Sequence, residues 1–385
     1  MSRVVLASFD PVPAPKGASQ HILANHRILS RHHEVSLVTL GHTPLDGHRH
    51  KAIHIPQGNW IRRAYEFRSR LEEIFEVNEF DVYHVRSPFE GLAVPPGRTT
   101  VFEVNGLHSI ESAYHYPDVG SVPGIRAKLR AQELVLLDRA SAIVTTNPVT
   151  QKCLVDLGVS ADDIHLVPNV PSFVCPVKSL RQLPPSDRLR CVYIGTLTPW
   201  QGLHECLLTL GKMSLPVELT VLTGSGKAMR KPLERLARKK GVTLRWEEPQ
   251  HGEDLAKVLQ LHDVGLAPLV PCERNMVMGC MPVKILDYMA AGLPVLAPNM
   301  DVVGTILGPE APLYERYRRR SMMALLEELA HDPAWRHRLG ESNQRRVHEA
   351  FSHTVQTEAL DAVYARLPST DVKTSSKAAL STPIG

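Results

Sequence analysis

The sequence predicts an α/β protein made of two Rossmann-like domains that face a central cleft. Short apolar segments typical of buried strands alternate with segments of helical period, and this alternation occurs on both sides of a proline-rich stretch at residues 171–185. Strands and helices that alternate in this way form parallel sheets covered by helices. The length of 385 residues also suits two domains. We expect the ligand in the cleft, because clefts between domains are common binding sites.

The first domain is predicted over residues 1–172. It opens with a strand, a loop rich in proline and glycine, a helix and a second strand, which is the start of a doubly wound sheet. The loop lacks the pattern GxGxxG, so it carries no dinucleotide fingerprint. Residues 41–60 and 107–123 are expected to be irregular. The predicted strands are 3–9, 35–40, 81–85, 99–104, 142–146 and 164–168, and the predicted helices are 20–31, 61–77, 124–139 and 149–157.

The second domain is predicted over residues 189–350, after a linker at 173–188. A last helix is expected at 351–367, and residues 368–385 are predicted to be disordered because they contain few large apolar side chains. The predicted strands of the second domain are 190–194, 218–222, 243–246, 264–269 and 293–296, and its predicted helices are 203–212, 228–240, 253–261, 283–291, 316–328 and 333–350.

Residues 273–298 predict an anion site. A polar loop leads into the predicted helix 283–291, Gly292 then stands where a helix often ends, and a strand follows. The free N–H groups and the dipole at a helix N-terminus favour negative charge. Lys284 lies in the first turn, where a cation is unfavourable to the dipole. A bound phosphate would account for this lysine, and so would simple exposure to solvent.

Two successive strands of the predicted first domain end in polar side chains. Functional residues of parallel sheets gather at the C-terminal ends of the strands. The loop that follows adds aromatic and charged residues of the kind that bind substrates. Each of these side chains could instead be a structural hydrogen-bonding group. The candidates in the first domain are His84, Arg86, Glu103, Asn105, His108 and Glu111.

The composition argues against several classes of protein. The net charge of +4 is small and is not clustered, so no nucleic-acid partner is expected. The cysteines lack the spacing of zinc ligands, so we expect reduced thiols, no metal site and a cytoplasmic location. The sequence contains no run of about 18 apolar residues, which is the length that a membrane-spanning helix needs. Any membrane contact would be peripheral, through the basic helix 61–77, although a solvated helix face explains that helix more simply.

Five segments together resemble one family of enzymes. They are PAPKGASQH after the first strand, IHLVPNV before the linker, YIGTLTPWQGL at the start of the second domain, LTGSGK after its second strand, and KILDYMAAGLPVLA in the predicted anion site. With the two-domain plan, these segments resemble the GT-B glycosyltransferases of the retaining glycosyltransferase family 4 type. The resemblance covers most of residues 3–365.

The resemblance implies transfer of a sugar from a nucleotide-diphosphate sugar to an acceptor, with retention at the anomeric carbon and without a required metal. The nucleotide sugar is a co-substrate, UDP is the expected nucleotide, and no cofactor is expected. The second domain would bind the donor and the first domain would bind the acceptor, which is a small molecule, a lipid-linked sugar or a glycan. The last helix would cross back to the first domain.

The resemblance, together with phosphate chemistry, gives the expected site residues. Backbone N–H groups at residues 279–281 and the cations Arg274 and Lys284 would stabilise the departing diphosphate. The expected catalytic residues are Asn105, Glu103, Arg274 and Lys284. The expected donor-binding residues are Gly17, Gly195, Thr196, Gly224, Gly226, Glu248, Gly279, Cys280, Met281 and Asp287. The expected acceptor-binding residues are His84, Arg86, His108 and Glu111.

The chain departs from the family pattern at several positions. The family has two glutamates separated by seven residues, where this chain has Gly279 and Asp287. The family often has an arginine and a lysine at the positions of Thr196 and Gln201, and a histidine at the position of Asn105. These losses leave open a catalytically inactive nucleotide-sugar-binding or regulatory homologue. A UDP-sugar epimerase of the same fold is a further alternative, for which Glu103 and Glu111 would be the acid/base candidates.

Overall fold

The computed structural model describes residues 1–14, 17–174 and 186–368. Residues 175–185 of the predicted linker and residues 369–385 of the predicted disordered tail lie outside the described residues. Within the described ranges the chain forms two parallel sheets, of seven and five strands, with helices between most successive strands. The predicted fold class is therefore confirmed.

The first sheet is a doubly wound parallel sheet. Its strands are β1 (Arg3–Pro11), β2 (Glu34–Leu40), β3 (His50–Ile53), β4 (Val82–Val85), β5 (Thr100–Val104), β6 (Ala142–Thr145) and β7 (Ile164–Leu166). Its helices are α1 (Gly17–Leu29), α2 (Trp60–Val77), α3 (Pro88–Gly91), α4 (His108–His115), α5 (Pro117–Gly120), α6 (Pro123–Arg139) and α7 (Pro148–Asp156). The spatial order is β3-β2-β1-β4-β5-β6-β7. The order reverses between β1 and β4, where such sheets bind ligands.

The second sheet has the same plan with fewer strands. Its strands are β8 (Leu189–Ile194), β9 (Val217–Leu222), β10 (Thr243–Glu247), β11 (Val264–Leu266) and β12 (Val295–Leu296), in the spatial order β10-β9-β8-β11-β12. Its helices are α8 (Leu203–Leu210), α9 (Lys227–Lys240), α10 (Gly252–Leu259), α11 (Glu273–Met276), α12 (Val283–Ala290), α13 (Asp301–Leu307), α14 (Arg319–His331) and α15 (Pro333–Ala350). None of the helices in the described ranges has both the length and the apolar character needed to cross a membrane.

Helix α2 illustrates how the sequence pattern builds these layers. The Asn59 side chain caps the helix by accepting a hydrogen bond from the backbone N–H of Arg62 at 3.1 Å. Apolar side chains then recur every three or four residues, and Phe67 and Leu71 are completely buried in the core of the first domain. Burial of each such side chain contributes roughly 1.5–3 kcal/mol. The charged residues therefore remain on the opposite face.

Two stretches that the sequence predicted to be irregular contain regular structure. Residues 41–60 include β3, which has only four residues at the edge of the sheet, too few for a clear alternating pattern. Residues 107–123 include α4 and α5, and neither helix has a side-chain hydrogen bond at its N-terminus. At α4 the sequence therefore lacks the usual capping signal for the start of a helix, whereas α5 begins with Pro117 but has only four residues.

The last helix, α16 (His353–Ala365), packs on the first domain. Leu360 and Tyr364 lie in the apolar core beside Leu6 of β1. The Tyr364 hydroxyl also lies 2.9 Å from Nδ1 of His84, at the centre of the first sheet. The first domain is therefore completed by residues from the far end of the described chain.

The loop before α12 connects the domains directly. Met278 is completely buried and belongs to the apolar core of the first domain. The Thr150 hydroxyl donates a hydrogen bond to the Met278 carbonyl at 2.8 Å, and the Asn147 side chain donates one to the Gly279 carbonyl at 2.8 Å. This loop of the second domain is thus docked on the start of α7.

Candidate active site

A cavity of about 660 Å³ lies between the two domains. Its walls come from the C-terminal ends of β1, β4 and β5, from α1, from the crossing segment 169–174 and from the loop before α12. Many of the predicted site residues line it, although they are far apart in sequence. They are Gly17, Arg86, Asn105, His108, Glu111, Arg274, Cys280, Met281 and Lys284.

Lys284 is a buried cation at the N-terminus of α12. Its side chain lies in the cavity wall, and the residue is only 8% exposed. Its Nζ donates a hydrogen bond to Oε1 of Gln201 at 2.7 Å and lies 4.1 Å from the ring centroid of Tyr193. Both partners are neutral, and within the described ranges no carboxylate forms an ion pair with it. An anion in the cavity would balance this charge.

Burial lowers the pKa of Lys284 to about 7, and the nearby charge of Arg274 lowers it in the same direction. The free protein therefore holds this side chain in a mixture of charged and neutral forms near pH 7. Gly195 provides the space beside it, because a Cβ there would lie 3.2 Å from Nζ of Lys284, and the φ of Gly195 is +132°.

Arg274, the second predicted phosphate cation, is already paired. Its Nε donates a hydrogen bond to Oε1 of Glu111 at 3.1 Å, which joins the two domains across the cavity. Its Nη2 contacts the Cys280 sulfur at 2.9 Å, and its guanidinium lies 5.9 Å from the ring centroid of Trp200. The two predicted cations therefore differ, because Glu111 balances the charge of Arg274 and no described carboxylate balances that of Lys284.

Gly279 has no room for a side chain in this arrangement. Its φ is +71°, a conformation that favours glycine, and a Cβ built there would lie 2.6 Å from Cβ of Val149 and 3.2 Å from Oδ1 of Asn147. The loss of the first family glutamate thus coincides with close contact between the domains.

Asp287, a predicted donor-binding residue, does not line the cavity. The backbone N–H of Ser172 donates a hydrogen bond to Oδ1 of Asp287 at 2.6 Å, and the Ser172 hydroxyl donates one to Oδ2 at 3.2 Å. Burial raises the pKa of Asp287 to about 7. Ser172 lines the cavity and Asp287 does not. Asp287 therefore holds the crossing segment in place, and its contact with a donor stays a prediction.

Glu103 is the centre of a buried polar network in the first domain. It is 1% exposed and does not line the cavity. Burial raises its pKa, but the charges of His21 and Arg86 outweigh burial, and the resulting pKa lies well below the usual range. Its carboxylate contacts Arg86 Nε (2.9 Å), His21 Nε2 (2.9 Å), Asn25 Nδ2 (2.7 Å), His84 Nε2 (3.1 Å) and Asn105 Nδ2.

This network determines which of four predicted residues can reach a substrate. Glu103 has no access to a substrate in this geometry, which favours a positioning role over the predicted catalytic one. His84 is completely buried between Glu103 and Tyr364, so it does not reach an acceptor either. Arg86 and Asn105 do line the cavity, and Glu103 fixes their orientation.

Sequence reasoning missed three side chains of this region. His21 and Asn25 lie one turn apart on α1 and both contact Glu103, and their i,i+4 spacing was a usable signal. Glu90 lines the cavity, and burial raises its pKa to about 7. Its oxygens accept hydrogen bonds from the Phe9 backbone N–H and the Ser87 hydroxyl. Nothing in the local sequence distinguishes Glu90 from a surface glutamate.

His108 is the predicted acceptor-binding residue with an open hydrogen-bonding position. Its ring stacks on Trp60 with centroids 5.8 Å apart and an interplanar angle of 8°. Burial lowers the pKa of His108, so the ring is neutral at pH 7. Its buried Nδ1 has no hydrogen-bond partner among the described residues. This atom is covered by its neighbours, so a hydroxyl in the cavity would reach it only after a movement of the ring.

The remaining predicted donor-binding residues lie beyond the cavity wall. Thr196, Gly224, Gly226 and Glu248 follow the C-terminal ends of strands in the second sheet, but they do not line the cavity. Glu248 instead forms an ion pair with Arg230 at 3.2 Å. Their contacts with a donor stay predictions. In the described ranges, no group of three or more His, Cys, Asp and Glu residues is arranged to hold a metal ion.

Two family models of sugar-transferring enzymes match the chain. The model described as Glycosyltransferase Family 4 matches residues 15–170, and the model described as Glycosyl transferases group 1 matches residues 188–331. The chain belongs to the GT-B glycosyltransferases of the family 4 type. The predicted glycosyltransferase family is therefore confirmed, whereas retention at the anomeric carbon stays a prediction. The boundary between the two matches lies between β7 and β8.

Solved structures of glycosyltransferases share this fold over nearly the whole chain. Sucrose-phosphate synthase from Thermosynechococcus elongatus superposes with a TM-score of 0.77 at 16% identity, covering 95% of this chain and 99% of its own. HepE from Anabaena, solved with UDP-glucose, gives 0.71 at 13% identity, covering 95% and 100%. WaaG, a glycosyltransferase involved in lipopolysaccharide biosynthesis, gives 0.67 at 14% identity, covering 94% and 99%. The superpositions establish a common fold, and at such low sequence identity they establish the fold alone. No curated protein matches the sequence.

Proposed function

We propose that this glycosyltransferase moves a sugar from a nucleotide-diphosphate sugar to an acceptor hydroxyl, with retention at the anomeric carbon and without a required metal. The observation that carries the proposal is Lys284, a buried and unbalanced cation at a helix N-terminus facing the cavity between the domains. A diphosphate supplies the missing negative charge. UDP is the proposed nucleotide, and the UDP-glucose complex of the structurally similar HepE supports this choice.

In the proposed reaction, the acceptor oxygen forms a bond to the anomeric carbon of the donor sugar. The bond between that carbon and the diphosphate oxygen breaks, and the diphosphate leaves with its electron pair. The leaving oxygen takes the proton of the acceptor hydroxyl, so no side-chain base is required. The Lys284 ammonium and the free N–H groups at the start of α12 stabilise the developing charge. Asn105 can then orient the sugar at the position where the family has a histidine.

The acceptor belongs on the side of the first domain, where His108 and Arg86 line the cavity. It is a small molecule, a lipid-linked sugar or a glycan. On composition alone, we also propose a cytoplasmic location with no more than peripheral membrane contact.

An inactive nucleotide-sugar-binding or regulatory homologue is the second candidate, and the geometry at Gly279 favours it. The place of a family glutamate has no room for any side chain while the loop is docked on Val149. A protein of this kind would hold the nucleotide through Lys284 and would transfer nothing. The epimerase alternative receives no such support, since Glu103 is outside the cavity and Glu111 is paired with Arg274.

Release of nucleoside diphosphate from a panel of nucleotide sugars, with and without cell extract as a source of acceptor, tests the proposal. We expect release with a UDP-sugar that increases when acceptor is present. Lys284→Ala should weaken nucleotide binding about 10- to 100-fold, the value of one hydrogen bond to a charged group. Lys257→Ala removes an exposed lysine of the same domain and should have no effect. Unchanged affinity in Lys284→Ala would refute the site, and tight binding without release would favour the inactive homologue.

A further inference from the structure

A second cavity of about 660 Å³ lies in the first domain beside the cleft. Its walls come from the ends of β1, β2 and β3, the start of α2, and α4. It shares five wall residues with the cavity between the domains, so the two spaces adjoin. The shared residues are Phe9, Asp10, Ala18, His108 and Glu111.

Three residues in the walls of this second cavity carry buried polar atoms with unused hydrogen-bonding capacity. They are Arg63 at Nε, His108 at Nδ1 and Ser112 at Oγ, and none of these atoms has a partner among the described residues. Buried polar atoms are paired in the great majority of cases. These atoms are covered by their neighbours, so a polar ligand in the second cavity would pair with them after a small movement of the side chains.

Arg63 also gives the second cavity an unbalanced positive charge. Within the described ranges, no carboxylate forms an ion pair with it. The carboxylates that border the cavity are engaged by other cations, since Asp10 pairs with Arg86 at 2.8 Å and Glu111 pairs with Arg274 at 3.1 Å. A ligand bound beside Arg63 should therefore be negatively charged.

Flat rings form much of the remaining wall. Trp60 stacks on His108 and also on Tyr116, with centroids 4.8 Å apart and an angle of 17° for the latter pair. The exposed rings of His42 and His54 contact each other at a tilt of 35°, with centroids 4.1 Å apart. Aromatic faces suit the C–H faces of a sugar or cyclitol ring, and imidazole nitrogens suit its hydroxyl groups.

We propose that the second cavity binds the acceptor, and that the acceptor is a small anionic polyol ring, a sugar or cyclitol bearing a phosphate monoester or a carboxylate. The anion pairs with Arg63, because a guanidinium binds either group through two parallel hydrogen bonds. The ring packs beside Tyr116, the exposed ring of this stack. The hydroxyl that receives the sugar faces the wall shared with the cleft, where Asp10 and His108 lie. This inference rests on the proposed function, because the ligand is placed as the acceptor of the transfer.

Calorimetric titration of the full chain without donor tests this inference independently of catalysis. The probes are glucose 6-phosphate, inositol 1-phosphate and glucuronate, with glucose and inositol as their neutral counterparts. We expect an anionic probe to bind at least about tenfold more tightly than its neutral counterpart. The phosphate and carboxylate probes separate the two sources of negative charge.

Two arginines on the same helix provide a matched pair of variants. Arg63→Gln should abolish the preference for the anionic probe, whereas Arg62→Gln removes an exposed neighbouring charge outside the cavity and should retain it. Arg63→Lys retains the charge without the two-pronged geometry and should give an intermediate affinity. Thermal melting of each variant verifies that it is folded.

Equal binding of anionic and neutral probes, no binding of any probe, or equal losses in Arg62→Gln and Arg63→Gln would each overturn the anionic acceptor. UDP-sugar binding is measured in the same preparations. Anionic probe binding that depends on Arg63, in a protein that binds no UDP-sugar, would overturn the acceptor role and the proposed function together. A protein that binds the UDP-sugar but no anionic probe would overturn this inference alone.

Discussion

Binding of a UDP-sugar should be accompanied by uptake of a proton at Lys284. Burial lowers the pKa of this ammonium to about 7 in the free protein, and no described carboxylate raises it. A diphosphate beside the nitrogen favours the charged form and therefore raises the pKa. At pH 8 only about one tenth of the free molecules carry this proton, so a bound-state pKa of about 9 or higher requires uptake of roughly 0.8–0.9 proton per donor. At pH 6 the uptake should fall to ~0.1 proton.

The same linkage fixes the pH dependence of donor affinity. Above the free-state pKa of about 7, each donor molecule must bring in a proton, so affinity should fall by up to about tenfold per pH unit. Below pH 7 the lysine is already charged, and affinity should depend little on pH through this group. Tightest binding is therefore expected on the acidic side of neutrality.

Calorimetry at pH 8 in two buffers with different ionisation enthalpies measures this uptake directly. A UDP-sugar is the suitable ligand, because its diphosphate lacks a terminal group that titrates in this range. Lys284→Arg is the control, since a guanidinium remains charged throughout and should bind without uptake at this position. Asp287 and Glu90 also have pKa values of about 7, so they are the competing sources. Equal uptake in Lys284→Arg and the unchanged protein would refute the role given to Lys284.

Two further substitutions test the architecture around the site through urea unfolding. Glu103→Gln should lower the free energy of unfolding by about 3 kcal/mol at pH 7, because it removes the buried carboxylate that pairs with Arg86 and leaves only the ion pair with the more exposed Asp10. The folded-state pKa of Glu103 is depressed, so this contribution is present above about pH 4.3 and is lost as the pH falls; a loss below about 1 kcal/mol would contradict the network. Gly279→Ala should lower the free energy of unfolding by about 1–3 kcal/mol more than Gly47→Ala does. Gly47 is the control, because it has nearly the same φ and a Cβ there would have no atom within 4 Å. Adding Val149→Ala to Gly279→Ala should restore part of the difference. Equal costs at the two glycines would mean that the loop is not held against α7.

The fold and the position of the cleft could be predicted from the sequence because both depend on local patterns. Alternating strands and helices place strand ends at one edge of each sheet, so Arg86 and Asn105 could be expected near a ligand. The predicted helix after a polar loop likewise indicated Lys284 as a candidate ligand for an anion. Each of these inferences uses residues within one element, where periodicity and turn chemistry are direct signals.

Pairing between distant elements could not be predicted in the same way. Glu103 has the position of a catalytic residue, but His21 and Arg86 come from other elements and neutralise it in the core. Asp287 matches a family position, yet its partner Ser172 lies 115 residues earlier. A single sequence contains no signal for such long-range contacts, and they decide which side chains remain available to a substrate.

The position of α16 has a consequence for how the protein is made. About 190 residues separate the end of the first sheet from this helix, which covers part of that sheet with Leu360 and Tyr364. At a synthesis rate of about 5–20 residues per second, α16 is synthesised roughly 10–40 s after the last strand of the first sheet. During that time an apolar surface around Leu6 stays uncovered while the second domain emerges. The nascent chain therefore passes through an interval in which a chaperone can bind the surface that the last helix later occupies.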